Sequence, residues 1–94
     1  MKTLILLLIF HFSLFTINCI YPNPTKDEII VECSCNLENT YFKLYDMLGK
    51  KIMQEKLKSK KIRILLTDIE EGIYIYKIIK ENEILYKNKL VIIK

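Results

Sequence analysis

Few side chains in this sequence could carry out chemistry, and the clearest candidates are two pairs of adjacent carboxylates. These pairs are Asp27-Glu28 and Glu70-Glu71. Two carboxylates flanking a bond can act as acid and nucleophile in glycoside hydrolysis. Both pairs, however, lie beside predicted turns with lysines nearby, and the chain has no tryptophan to form a platform for a sugar ring. We therefore expect these carboxylates to be solvated turn residues.

Nucleophilic catalysis and metal binding lack their usual residues. His11 is the only histidine, and it lies in the apolar N-terminal run, so the rest of the chain has no imidazole base. No zinc-ligand spacing, phosphate-binding loop or calcium loop occurs. The sequence predicts a protein that is not an enzyme and uses no cofactor and no metal.

The three cysteines are Cys19, Cys33 and Cys35. On a strand, residues separated by one position have Cα atoms about 6.5 to 7 Å apart, at or beyond the usual limit for a disulfide. We therefore expect Cys33 and Cys35 to be buried or half-buried thiols. A lipidated Cys19 is an alternative, although the preceding Asn18 is not the small residue that lipidation requires.

Residues 1–19 are typical of a secretory signal peptide. Lys2 precedes an apolar run from Leu4 to Phe10, which continues with further apolar residues. The run is short for a membrane-spanning helix, which needs about 20 apolar residues, and an uncleaved anchor is the alternative. We expect export through the inner membrane, and one small domain formed by residues 20–94.

The charge is mildly positive, +4 for the whole chain, and the lysines are scattered among glutamates. This balance predicts solubility and at most weak attraction to an anionic surface. Tyrosines interleaved with lysines could stack the bases of a single-stranded nucleic acid. On a nearly charge-balanced secreted domain we expect no nucleic acid, and amphipathic, half-buried rings instead. These tyrosines are Tyr41, Tyr45, Tyr74, Tyr76 and Tyr86.

Apolar residues recur with a period of two, which predicts strands. Ile29, Val31, Cys33 and Cys35 share one face of a half-buried strand, and the Pro-Asn-Pro before it forms an extended lead-in. Ile62, Ile64 and Leu66 share the face of another strand.

Four further strands are predicted, two of them in the second half of the chain. Phe42 and Leu44 alternate with polar residues ahead of a hairpin that uses Asp46 and Gly49, and Ile52 and Met53 resume the apolar pattern after it. The segment "GIYIYKIIK" is apolar on both faces, which predicts a central strand covered on both sides. The last segment, "ILYKNKLVIIK", is a predicted edge strand kept soluble by Lys87, Lys89 and Lys94.

These elements predict an all-β fold, a small antiparallel β-sandwich of six or seven short strands. A helix through residues 40–57 is the competing interpretation, because Leu44, Met47, Leu48 and Met53 could form an apolar stripe. The glycine in the middle of that segment and its tyrosine-rich first half favour the strands.

Four short motifs, taken in order, resemble one known family. They are "YPNP" at Tyr21–Pro24, "KLYDMLGKKI" at Lys43–Ile52, "GIYIYKI" at Gly72–Ile78 and "NKLVIIK" at Asn88–Lys94. Together they are similar to the type A C-terminal sorting domain of proteins exported by the type IX secretion system of Bacteroidota. The resemblance covers essentially all of Tyr21 to Lys94.

The resemblance implies an immunoglobulin-like β-sandwich that acts as an address and not as a catalyst. It implies recognition of the folded domain by an outer-membrane translocon, after passage through the periplasm. It also implies a sortase-like peptidase that releases the cargo to the medium or joins it to an anionic lipopolysaccharide at the cell surface. A stand-alone structural or adhesive domain, binding a partner through an edge strand, is the alternative.

The family's recurring positions map onto thirteen residues of this sequence. They are Tyr21, Pro22, Asn23 and Pro24 at the start; Tyr45, Asp46 and Gly49 in the hairpin; Gly72 and Tyr74 at the central strand; and Lys89, Leu90, Val91 and Lys94 at the end. For the two glycines we favour a backbone role over direct contact. For Lys89 and Lys94, contact with a partner and solubility of the edge strand are equally open.

The sequence departs from the family pattern in two ways. Family members carry a large cargo between the signal peptide and the sorting domain, and here we expect no cargo domain ahead of Tyr21. The segment "IEEG" stands where the family often has a Leu-Pro pair before the glycine, which predicts a less rigid turn.

Overall fold

The computed structural model describes residues 19–33 and 37–94, and in these residues the chain forms seven β-strands and no helix. The strands are β1 (Cys19–Tyr21), β2 (Glu28–Glu32), β3 (Thr40–Tyr45), β4 (Lys51–Lys56), β5 (Lys61–Leu65), β6 (Gly72–Lys80) and β7 (Glu83–Ile92). The prediction of an all-β chain is confirmed over this part. The predicted signal peptide, apart from Cys19, lies outside it. In the described residues we find no helix long and apolar enough to cross a bilayer.

The strands form two antiparallel sheets. The smaller has the order β1-β2-β5, with Ile20 opposite Val31 and Ile29 opposite Ile64. The larger has the order β4-β3-β6-β7, so β6 lies between β3 and β7 as the apolar pattern predicts. β7 is an edge strand, which is also as predicted.

Both sheets contribute their apolar faces to one core. Ile29 and Ile64 of the smaller sheet belong to the same buried cluster as Phe42, Ile78 and Leu90 of the larger. The alternation of buried and half-buried residues along β2 and β3 follows the period of two in the sequence. The two-layer arrangement therefore rests on the pattern that predicted the strands.

An aromatic group extends the core along the larger sheet. The rings of Phe42 and Tyr76 are stacked with centroids 5.8 Å apart, and the ring of Tyr86 lies 5.9 Å from that of Tyr76. Burial, and secondarily the neighbouring Tyr86, raise the pKa of the Tyr76 hydroxyl well above its ordinary value. Tyr76 is a core residue, buried more deeply than the half-buried ring that the sequence predicts.

The prediction that β6 is covered on both sides is wrong. Tyr76 and Ile78 face the core, whereas Ile73 is 48% exposed, and Ile75 and Lys77 are only partly covered on the opposite face. The described residues form two sheets that share one core, so the opposite face of each sheet has no further sheet against it in this part of the chain. The apolar residues on that outer face have no second layer against them in the described part of the chain.

The Pro-Asn-Pro segment precedes β2, as the sequence predicts, but it does not mark the start of the fold. β1 precedes it, and the segment connects β1 to β2, with both Tyr21-Pro22 and Asn23-Pro24 as cis peptide bonds. β1 was not predicted from the sequence, because this strand has only three residues and adjoins the apolar N-terminal run.

The expectation of a thiol at Cys33 is also wrong, because Cys33 is disulfide-bonded. β2 ends at Glu32, so Cys33 follows the strand, whereas the sequence predicts it within the strand. β1 also brings the backbone of Cys19 opposite Glu32, next to Cys33. Cys35, for which the sequence also predicts a buried or half-buried thiol, lies outside the described residues.

Candidate recognition site

The residues of the four motifs come together at one end of the larger sheet. β3 ends at Tyr45, which lies opposite Ile75 near the start of β6, and Gly72 at the start of β6 lies opposite Ile92 at the end of β7. Antiparallel pairing thus places three motif-bearing strand ends side by side. We call this region the motif end of the sheet, formed by the β3–β4 hairpin, the start of β6, the end of β7 and residues 21–25.

Asn23 joins the first motif to the last. Its Nδ2 donates a hydrogen bond to the carbonyl of Lys89 at 2.9 Å, and its Oδ1 accepts one from the backbone N–H of Val91 at 3.1 Å. A carboxamide can satisfy a donor and an acceptor at once. Asn23 therefore occupies the place of a neighbouring strand beside the edge of β7.

Thr25 continues this contact along β7. Its N–H donates to the Val91 carbonyl at 2.9 Å, and its own carbonyl accepts from the N–H of Ile93 at 2.7 Å. Thr25 is only 3% exposed, and its hydroxyl donates to the carbonyl of Glu28. Sequence analysis missed Thr25, and the only signal for it was its position directly after Pro24.

The other residues of the first motif have distinct environments. The Tyr21 hydroxyl donates to the carboxylate of Glu32, on the neighbouring strand β2. Pro22 and Pro24 are exposed and flank Asn23. The first motif thus connects the smaller sheet, through Tyr21, with the edge of the larger sheet, through Asn23.

Asp46 and Gly49 build the β3–β4 hairpin, as predicted. Oδ1 of Asp46 accepts hydrogen bonds from the N–H groups of Leu48 and Lys50, both at 2.9 Å. Gly49 has a φ of +89°, a conformation that residues with a Cβ rarely adopt. The hairpin leaves Met47 and Leu48 exposed, Leu48 almost completely at 95%. Asp46 and Gly49 therefore stabilise the backbone conformation of the turn. The side chains that the turn exposes to solvent are those of Met47 and Leu48, which lie between them.

Gly72 and Tyr74 anchor the connection between β5 and β6. The Tyr74 hydroxyl donates to the carbonyl of Glu70 at 2.7 Å, across the turn that precedes β6. Gly72 has a φ of +156°, and a Cβ at this position would lie 3.5 Å from the Tyr74 ring. The glycine thus gives the backbone its conformation and leaves ordinary contact distance for the ring.

The last motif has buried and exposed members. Leu90 is fully buried in the core, and Val91 is half-buried. Nζ of Lys94 donates to the carbonyl of Leu66 at 3.1 Å and lies 3.8 Å from the Asp27 carboxylate. The Lys89 side chain is exposed and has no hydrogen bond or ion pair among the described residues. Of the two lysines of the last motif, Lys89 is therefore the one whose ammonium group remains available.

The carboxylate pairs do not form a catalytic arrangement. Asp27 lies 3.8 Å from the ammonium group of Lys94, and Glu28 lies 3.5 Å from the Arg63 guanidinium. Glu70 and Glu71 are exposed. Within residues 19–33 and 37–94, no group of three or more His, Cys, Asp or Glu side chains lies close enough to bind a metal ion.

These observations define an all-β domain of two antiparallel sheets, whose recurring motif residues hold its first and last segments together. In a comparison with protein-family models, residues 19–94 match the secretion system C-terminal sorting domain, and the chain belongs to this family. The matched region begins at Cys19, where β1 begins. The resemblance found in the four motifs is confirmed. The domain is thus a sorting signal of type IX secretion, a targeting module that directs export. A search of curated proteins finds no match to the chain.

Proposed function

We propose that this domain is a non-catalytic export address that the outer-membrane translocon of the type IX secretion system recognises as a folded unit. Family membership over residues 19–94 supports the assignment to this secretion pathway. The observation that carries recognition of a folded unit is the contact of Asn23 with Lys89 and Val91. An unfolded chain would keep these two motifs apart.

The motif residues support this proposal through the groups that they use. Asn23, Asp46 and Tyr74 hydrogen-bond to the backbone, and Leu90 lies in the core. Residues in these positions maintain the fold of the domain and do not themselves offer side chains for contact with a partner. We infer that the translocon reads the surface that this shape presents, including the exposed side chain of Lys89.

We also infer that the two sheets form an immunoglobulin-like sandwich. Support comes from the packing of a three-stranded sheet on a four-stranded sheet around one core. Tyr74 adds to this support. It lies near the start of β6, and its hydroxyl bonds back to the carbonyl of Glu70, which is the arrangement of the tyrosine corner in such sandwiches.

The proposed route begins with a signal peptide at residues 1–19 and passes through the periplasm. The translocon then moves the protein to the cell surface or the medium. A sortase-like peptidase that removes the domain, and attachment to an anionic lipopolysaccharide, are parts of this proposal that rest on the family alone.

The test is export of a fluorescent cargo placed between a signal peptide and residues 19–94, in a host with the secretion system and in a translocon-deficient derivative. We expect cargo outside the cell only when the translocon is present. Cargo that stays in the periplasm of both strains, with the domain folded, would refute the proposal.

Point variants separate recognition from folding better than deletion does. Deleting Lys89–Lys94 would block export, but it would also remove the buried Leu90 and Ile92 and so unfold the domain. Lys89→Ala tests contact at an exposed position, with Lys58→Ala as the matched control away from the motif end. We expect Lys89→Ala to reduce export more than Lys58→Ala does. Equal export by the two variants would exclude a direct role for Lys89.

The alternative, a stand-alone structural or adhesive domain, is favoured by one observation. β4 is an edge strand of the larger sheet, and five of its six residues are exposed. An exposed edge can pair with a strand of a partner. Retention of the cargo in the periplasm of both strains would favour this function.

A further inference from the structure

The register of the larger sheet places three lysines in one row. Lys43 of β3 lies opposite Lys77 of β6, and Lys77 lies opposite Lys87 of β7. Directly opposite residues of antiparallel strands point to the same face. Lys89 follows on the same face of β7, opposite Ile75. We call Lys43, Lys77 and Lys87 the lysine row, and the solvent side of this sheet the outer face.

The lysine row has no acidic partner among the described residues. The ion pairs found there join Lys61 with Glu32, Arg63 with Glu28, and Lys94 with Asp27, and none of them involves the row. The cross-strand neighbour of Lys43 on β4 is Gln54, which is uncharged.

The nearest carboxylates along the chain do not form ion pairs with the row. Asp46 and Glu81 lie in the turns at opposite ends of the sheet, where Asp46 borders a depression with Lys77 and Lys87, and Glu81 borders one with Lys43. Like charges directly opposite each other destabilise a sheet. The fold therefore maintains an unfavourable arrangement whose positive charge is available to an anionic partner.

The surroundings of the lysine row are aromatic and shallow. Nζ of Lys77 lies 4.5 Å from the ring centroid of Tyr45, and Tyr41 lies on the same face beside Lys43. The region has two open depressions. One of about 200 Å³ is lined by Tyr45, Asp46, Lys77 and Lys87 among others, and one of about 350 Å³ by Tyr41, Lys43 and Glu81 among others. The face is thus broad, cationic and studded with tyrosines, without a deep pocket for a small ligand.

We propose that the outer face docks onto an anionic membrane surface, where the lysine row binds the phosphates of lipid headgroups. Cores of protein–protein interfaces are depleted in lysine, and here lysines occupy the middle of the face. Clustered lysines are instead attracted to anionic lipid surfaces, and tyrosine rings favour the headgroup level of a bilayer. The charge of the outer face therefore matches a lipid surface better than a protein surface. This docking is separate from recognition by the translocon, and each can fail without the other.

The test is binding of the full chain to vesicles of phosphatidylcholine with and without phosphatidylglycerol. The row variant carries Lys43→Gln, Lys77→Gln and Lys87→Gln. The control variant carries Lys26→Gln, Lys58→Gln and Lys60→Gln, which lie on exposed loops. Both variants therefore have the same change in net charge. Every protein retains the apolar N-terminal run, whose own binding to vesicles therefore cancels in the comparison. We expect the row variant to bind phosphatidylglycerol vesicles at least about tenfold more weakly than the control, with the difference lost at high salt.

Equal binding by the two variants would overturn the proposal, as would equal binding of the wild-type chain to both kinds of vesicle. The chain could instead bind polyglutamate, but not phosphatidylglycerol vesicles, in a way that depends on the lysine row. That result would assign the outer face to an acidic protein. Circular dichroism verifies that each variant is folded. If the triple variant is unfolded, Lys87→Gln on the exposed edge strand gives the same comparison against Lys58→Gln.

Discussion

Asn23 and Val91 are separated by 68 positions in the sequence, and the backbone N–H of Val91 donates a hydrogen bond of 3.1 Å to the side chain of Asn23. The same carboxamide donates to the carbonyl of Lys89. The first and last motifs of the domain are therefore parts of one structural unit. Loss of the first motif would therefore expose backbone groups of the last.

Replacing Asn23 tests this unit directly. Asn23→Ala removes both hydrogen bonds, and we expect the free energy of unfolding to fall by about 1 to 2 kcal/mol in urea denaturation. Asn23→Asp keeps an acceptor for Val91 but loses the donor to Lys89. Its free energy of unfolding should therefore lie between those of the wild type and Asn23→Ala. An aspartate variant as stable as the wild type would show that the Lys89 hydrogen bond contributes nothing.

Tyr74 provides a test of the β5–β6 connection. Tyr74→Phe keeps the ring but removes the hydroxyl that bonds to the Glu70 carbonyl, and we expect a loss of about 1 kcal/mol in thermal unfolding. Tyr41→Phe is the control, because Tyr41 lies on the same sheet and its hydroxyl makes no hydrogen bond among the described residues. Equal stabilities for the two variants would contradict an anchoring role for Tyr74.

The hairpin depends on one carboxylate oxygen. Asp46→Ala leaves the N–H groups of Leu48 and Lys50 without their acceptor, and we expect it to cost about 1 kcal/mol. Asp46→Asn retains an acceptor at this position and should preserve most of the stability. If the asparagine variant unfolds as easily as the alanine variant, the charge and not the hydrogen bonds stabilises the turn.

The lysine row predicts a substitution that stabilises the fold. Lys87→Glu turns the repulsive pair with Lys77 into an attractive one, and we expect a gain of about 0.2 to 1 kcal/mol that shrinks as salt is added. Lys58→Glu, outside the strands, is the matched control and should change the stability less. A loss of stability in Lys87→Glu would indicate that the lysines of the row do not repel one another appreciably.

The disulfide of Cys33 predicts sensitivity to reducing agents. Cys33→Ser should lower the free energy of unfolding by about 2 to 5 kcal/mol, and a reductant should lower the melting temperature of the wild type but not of the variant. Peptide mapping by mass spectrometry without reduction identifies the partner cysteine. An unchanged melting temperature of the wild type under reduction would contradict a stabilising bridge.

Local patterns predicted most of the strands. The alternation at Ile29 and Val31, and at Phe42 and Leu44, reports burial on one face of a sheet, and these residues are buried as expected. Gly49 was recognisable because few other residues tolerate its conformation. Each of these patterns depends on residues that are close together in the sequence, so it can be recognised without knowledge of the fold.

Contacts between distant segments could not be predicted in the same way. Nothing next to Asn23 or Thr25 indicates that they pair with β7, because that pairing depends on how both sheets are placed. The lysine row was hidden for the same reason. Lys43, Lys77 and Lys87 are scattered along the chain, and only the register of three strands brings them together.

The pairing of Asn23 and Thr25 with β7 also bears on self-association. A sheet edge with free backbone groups invites strands from other molecules and is a starting point for fibrils. Along the last part of β7, Asn23 and Thr25 occupy the Lys89 carbonyl, both backbone groups of Val91 and the Ile93 N–H. Proteolytic loss of the Pro-Asn-Pro segment would therefore expose backbone groups along this part of β7. The same few residues that complete the fold also close this stretch of the edge to strands of other copies.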